Sequence, residues 1–108
     1  MRNLVKDEVI LLHDEVCSAL ADPNRILILY SLAERSMNVS ELVEKLDVPQ
    51  PTVCRHLRVL RDRGMVRYHR DGQQINYRLK DYRVIEALDL MRAMLADRLQ
   101  NQAELLES

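Results

Sequence analysis

The sequence predicts a mainly α-helical chain that carries one small β-hairpin. Three observations lead there. Apolar residues recur at helical spacing through most of the 108 residues. Only two glycines and three prolines interrupt them, too few for elaborate loops. After Gly64 the period shortens, and two β-rich segments flank Asp71-Gly72, a dipeptide favoured in hairpin turns.

The elements follow in order. Val5, Val9, Leu12, Val16 and Leu20 put one apolar face on a first helix over residues 4–21. Asp22-Pro23 then sets an N-cap residue before a proline at the first helical position. The helix it opens carries Ile26, Leu27, Leu29, Tyr30 and Leu32, apolar around most of its girth, as expected of a central helix. Asn38 and Glu41 have capping-box spacing, with Asn in place of the usual Ser or Thr, and start a short third helix that runs to about Leu46. VPQPTV makes a tight connection into a fourth helix. Val53, Leu57 and Leu60 form its apolar face, and Arg55, Arg58 and Arg61 the opposite one. Gly64 ends it as the residue following the C-cap. MVRYHR and INYRL are the two strands of a hairpin over residues 65–79. Asp81 can cap a fifth helix over residues 81–105, where Ile85, Leu88, Met91, Leu95 and Leu99 keep near-heptad spacing. Such spacing fits a helix-pairing face or an intramolecular core face.

Composition bounds the rest. A hydrophobic fraction of 47% and a charged fraction of 31% fit one globular domain over residues 1–108 and argue against disorder. With no Phe or Trp, aliphatic side chains must build the core. No apolar run approaches the roughly 18 residues of a membrane span, and the N-terminal residues lack a signal-peptide pattern. The chain therefore reads as cytoplasmic, without a membrane partner, and its two cysteines, Cys17 and Cys54, as reduced.

Charge is unevenly spread. Residues 50–80 hold eight basic and two acidic side chains, a net of +6, while the remainder, eight basic against fifteen acidic, carries −7. A run of charges on a helix is usually a solvated face. Here the charges are of one sign and continue from helix into hairpin, as on a surface that faces nucleic acid phosphate. The order of short helix, tight turn, basic helix and basic hairpin is that of a helix-turn-helix, about residues 38–63, followed by a wing. A helix enters the DNA major groove with its N-terminal side chains toward base edges. Gln50 can donate to and accept from a base edge, and Arg55 can reach guanine or a phosphate. Pro51, Thr52 and Cys54 share that surface. Arg58 and Arg61 lie farther along, toward the backbone, and Arg67, Arg70, Gln73 and Gln74 place the wing against a flanking groove or phosphates.

ALADPNRILIL and NVSELVEKLDVPQPTVCRHLRVLRDRGMVRYHRDGQQINYRL together resemble the ArsR/SmtB family of small winged-helix repressors, over nearly the whole chain. PTVxxHLxxLRxxG, the Asp-Gly wing tip and Tyr-Arg-Leu are specific only in combination. The resemblance implies a homodimer joined through the first and last helices, bound to double-stranded operator DNA and released by an inducer. The family's metal sites do not carry over. Where one site has two cysteines, this chain reads Asn38-Val39-Ser40. The last-helix positions correspond to Asp81, Arg83, Met94 and Asp97, which leave two carboxylates beside a repelling arginine, so a zinc site of the usual N/S ligation is disfavoured.

Three residues remain for sensing. Cys54 stands where the family usually has Ser; it is either a Ser-like contact or a reactive thiol favoured by the helix N-terminus and neighbouring arginines. Cys17 falls in an apolar slot, which favours a buried core thiol. His13 and Cys17 are four residues apart on one helical face, a two-ligand edge to which Cys54 could add a third ligand. Thiol ligands would select soft ions such as arsenite, copper(I) or cadmium; no resident cofactor is implied. His56 reads as packed or hydrogen-bonded at the base of the fourth helix, and His69 as a solvated wing residue.

The leading function is thus a sequence-specific DNA-binding repressor that releases its operator on sensing a thiol-reactive, soft-metal or metalloid signal through Cys17, Cys54 or both. The same repressor without such sensing, or a winged-helix adaptor that binds protein, are the alternatives. No phosphate loop and no nucleophile–His–acid spacing points to an enzyme.

Overall fold

A computed structural model of the chain describes residues 2–107. Helix α1 spans Arg2–Leu11 and continues into a π-helical segment, Leu12–Cys17. Helices α2 (Pro23–Glu34), α3 (Val39–Leu46) and α4 (Gln50–Asp62) follow, then strands β1 (Val66–Asp71) and β2 (Gln74–Leu79) and the long helix α5 (Arg83–Glu107).

Local chemistry sets the boundaries. Asp22 accepts from the backbone N–H of Asn24 at 2.8 Å and caps α2. Asn38 and Glu41 make both halves of the expected capping box, at 2.8 and 3.0 Å. Arg35 holds the outer oxygen of Glu41 at 2.7 Å. Asp47 ends α3 in the left-handed region, φ 54°, with its N–H on the Val43 carbonyl. Gly64, φ +73°, ends α4. Its N–H reaches Arg61 at 3.0 Å and that of Met65 reaches Leu60 at 2.9 Å, the two bonds of a Schellman motif.

The hairpin is antiparallel, from Val66 opposite Leu79 to Asp71 opposite Gln74. Asp71-Gly72 was expected at the turn, yet Asp71 is the last strand residue and the two-residue loop is Gly72-Gln73. Only Gly72 has positive φ, +66°, so glycine takes the first central position of a type II′ turn. Met37 exchanges backbone hydrogen bonds of 3.0 and 2.8 Å with Tyr77 and anchors the sheet to the start of α3.

The core forms where α2, α3 and α4 meet the hairpin. Ile28, Leu29, Met37, Leu42, Val53, Leu57, Leu60, Val66 and Ile85 are its most deeply buried large side chains, and α2 is the central helix that its apolar girth predicts. The first and last helices both leave apolar side chains uncovered. The first helix is not uniformly α-helical, and its apolar face does not enter the core: Val16 and Leu20 pack against the body, but Val5, Val9 and Leu12 are exposed. Along α5, Ile85 and Leu88 are buried, whereas Met91, Leu95 and Leu99 are exposed. Both helices run off the body, which explains a radius of gyration of 17.0 Å against about 13 Å for a compact chain of this length.

Replacing fully buried Leu29 by Ala should cost about 2–5 kcal/mol. Asn38→Ala, which removes the α3 cap, should cost about 1 kcal/mol. Urea unfolding of both variants checks the ranking.

Candidate nucleic-acid interface

Helix α4 buries Val53, His56, Leu57 and Leu60 and so turns Cys54, Arg55, Arg58 and Arg61 outward. Gln50 and Pro51 are exposed in its first turn and Thr52 is half-buried. No side chain caps this helix at its N-terminal end. Pro51, Cys54, Arg55, Arg58, Arg61 and Tyr77 line a shallow groove of about 410 Å³ between α4 and the hairpin.

The pairing register divides the wing's side chains between two faces, because successive residues of a strand alternate. Tyr68, opposite Tyr77, and Arg70, opposite Ile75, share the face of buried Val66. Arg67 lies on the other face, directly opposite Arg78. Two like charges opposed in this way destabilise a hairpin unless an anion lies between or near them. Arg61 stacks over the Tyr68 ring at 5.2 Å, and that ring meets Tyr77 at 5.8 Å, so α4 and the wing are joined through an arginine and two tyrosines. Gln73 and Gln74 stand apart from the main groove. They line a smaller one, about 280 Å³, with Asn38, Val39 and Ser40 at the start of α3.

The arginines fall into two groups. Arg35, Arg63, Arg83 and Arg92 each pair with a carboxylate. Among the described residues Arg55, Arg58, Arg61, Arg67, Arg70 and Arg78 of α4 and the wing form no ion pair, nor do Arg25, which meets backbone carbonyls and His56, and Arg98 on α5. The free cations are thus concentrated on α4 and the wing. Arg78 was counted in the charge of this segment, but its position opposite Arg67 emerges only from the strand register.

His56 is 3% exposed at the base of α4. Its Nδ1 lies 3.3 Å from an Arg25 guanidinium nitrogen. Arginine can only donate, so Nδ1 accepts and the ring proton sits on Nε2, 3.8 Å from an Asp22 oxygen. Burial holds the His56 pKa below its ordinary 6.5; Asp22 pulls it upward, and Arg25 and Arg55 push it down. Burial prevails over the carboxylate, which lies beyond hydrogen-bonding distance.

The sensing candidates are dispersed. Cys17 and Cys54 are both free and exposed, which corrects the expected core position of Cys17. His13 is exposed and meets Asp14 at 3.0 Å. Among the described residues no group of three or more His, Cys, Asp or Glu could hold a metal ion, so His13, Cys17 and Cys54 do not combine into one site within a chain. Asp81 is held by Arg83 through contacts of 2.6–3.1 Å, which pull its pKa down to about 2. No helix among the described residues is long and apolar enough to cross a membrane.

Residues 22–68 match the model of the family described as bacterial regulatory protein, arsR family. The chain is 45% identical over 78 residues to the HTH-type transcriptional regulator KmtR of Mycobacterium tuberculosis, with 72% of this chain and 60% of that protein covered. It is 46% identical over 68 residues to the HTH-type transcriptional repressor SmtB of the same species, with 63% and 50% covered. It therefore spans between half and three-fifths of the length of these two relatives. The crystal structure of M. tuberculosis Rv0081 superposes with a TM-score of 0.79 at 32% identity, covering 88% of this chain and 96% of that one.

A histidine with a depressed pKa takes up its proton more readily in the unfolded chain. Its contribution to stability is complete above pH 6.5 and declines as pH falls from there toward the folded pKa. Thermal unfolding between pH 7.5 and 5 should show this loss, and His56→Gln should flatten the slope.

Proposed function

The chain belongs to the arsR family of bacterial regulatory proteins, and we propose that it is a dimeric, sequence-specific transcriptional repressor that binds double-stranded operator DNA. The observation that carries this reading is the concentration of unpaired arginines on α4 and both faces of the wing. Arg55, near the start of α4, reads a base edge, together with Gln50 and Thr52. Arg58 and Arg61 approach the sugar-phosphate backbone. Arg67 and Arg78 take a phosphate on one face of the wing, while Arg70 approaches from the other.

Dimerisation accounts for the apolar side chains left in solvent. Val5, Val9 and Leu12 of the first helix and Met91, Leu95 and Leu99 of α5 recur at the spacing of a helix-pairing face. A second copy covering both faces would remove them from water and set two α4 helices side by side against a two-fold operator.

We assign release of the operator to Cys54. Its thiol is exposed in the groove between α4 and the wing, beside Arg55 and Arg58, where an oxidised sulfur or bound arsenite would occupy space that DNA must enter. Cys17 and His13, on the first helix, are not needed for this step.

Affinity for the operator, measured by fluorescence anisotropy, should fall by roughly a thousandfold or more between about 50 and 200 mM salt. Arg55→Ala should weaken it by about 1–3 kcal/mol and relax one base preference. Binding that ignores salt would instead favour the adaptor. Cys54→Ser should bind as the wild type does and remain bound in peroxide, polysulfide or arsenite; full release of this variant would exclude Cys54 as the switch.

A further inference from the structure

Arg63 belongs by charge to the basic stretch but faces the other way. It is the C-cap residue of α4, and its guanidinium reaches back to the first helix. One terminal nitrogen donates to the carbonyl oxygens of Asp14 and Glu15 (3.3 Å to Glu15) and to Ser18 Oγ at 2.8 Å. Its Nε stands 3.8 Å from the Glu15 carboxylate.

The acceptors are available because of the π turn. Ser18 donates its backbone N–H to His13 at 2.9 Å, five residues back. Continuing that pattern would send Ala19 to Asp14 and Leu20 to Glu15. Both N–H groups turn instead to the Val16 carbonyl, at 3.1 and 3.2 Å. Asp14 and Glu15 thereby lose the backbone donors that a continued π-helix would supply, and both carbonyls, in exposed residues, are left open to a side-chain donor. Arg63 donates to both, sharing the Asp14 carbonyl with the Ser18 hydroxyl, which donates to it at 2.5 Å. A second strut lies farther along. Arg25 Nε donates to the Ala19 carbonyl at 2.6 Å while the same guanidinium meets His56 of α4 at 3.3 Å. His56 and Arg63 are seven residues apart, about 10 Å along the helix axis. Two ties at that separation fix the direction of α4 relative to the first helix as well as its distance.

We propose that Arg63 is a positioning residue for operator recognition: by gripping the π turn it sets the spacing and angle between the two α4 helices of a dimer. The inference rests on the dimeric DNA-binding reading above. It gives the π segment a role, since π turns inside helices recur at functional positions. It also separates Arg63 from Arg58 and Arg61, whose charges would act on DNA directly.

The test uses the full chain and a duplex that the wild-type protein selects from a pool randomised over about 30 base pairs. Anisotropy titrations compare the intact duplex, a duplex with one half-site scrambled, and duplexes with one or two base pairs inserted or removed at the centre. Arg63→Ala should lose about tenfold on the intact duplex, keep wild-type affinity for the single half-site, and show a broadened spacing optimum. Ser18→Ala, a milder change that leaves the carbonyls in place, should move the same way by a smaller factor. Circular dichroism confirms that each variant is folded, and Ser18→Ala decides the matter if Arg63→Ala unfolds. Equal losses on half-site and intact duplex would make Arg63 a direct phosphate contact and overturn the proposal, as would an unchanged spacing optimum. Failure of the wild-type protein to select any duplex would sink the DNA-binding reading itself, a result distinct from either.

Discussion

Burial of one stripe on α4 governs the rest of the molecule. Val53, Leu57 and Leu60 are essentially removed from solvent, and each such side chain contributes about 1.5–3 kcal/mol through burial. Their helical spacing forces Arg55, Arg58 and Arg61 to the outside, where Arg61 also stacks on Tyr68 of the wing. The Schellman stop at Gly64 then delivers Met65 and Val66 into the same core, so the wing begins at a fixed angle to the helix. Hydrophobic packing thus organises a surface whose own charges repel one another.

Much of this was legible in the sequence because the signals are local. Asp22-Pro23, the Asn38–Glu41 box and Gly64 each act through bonds to residues two to four positions away, and each ends or begins an element where expected. The segregation of arginines on α4 follows from helical period. Less was legible where the answer depends on a nonlocal choice. Asp71-Gly72 marks a hairpin, but the pairing of Val66 with Leu79 and the Met37–Tyr77 bridge decide that the loop is Gly72-Gln73. That same pairing places Arg78 opposite Arg67. The π turn has no signature in hydrophobic periodicity, which cannot tell a widened turn from a regular one over six residues. It nevertheless leaves the Asp14 and Glu15 carbonyls open to Arg63. The apolar faces of α1 and α5 were read correctly as apolar, yet the chain by itself has nothing to place over them.

Polar groups follow a related division. Arg25, Arg35, Arg63, Arg83 and Arg92 of the body are held by carboxylates or carbonyls, and burial holds the pKa of His56 below its ordinary value. The paired charges make a frame, and most of the unpaired arginines lie on the proposed binding surface. A single substitution in the frame can therefore affect binding without touching the partner, because the geometry of the surface is inherited from the frame.

The opposed Arg67 and Arg78 alter the meaning of an ionic-strength measurement on this protein. In the free chain their repulsion is strongest in dilute buffer and is relieved when a polyanion arrives, so the relief adds to affinity most where mobile ions are scarce. Added salt screens the pair beforehand and removes that gain while it also weakens attraction to the phosphates. Both effects steepen the same slope. A count of phosphate contacts read from that slope would exceed the number of arginines that touch the backbone, and the excess would measure the internal tension of the unbound wing.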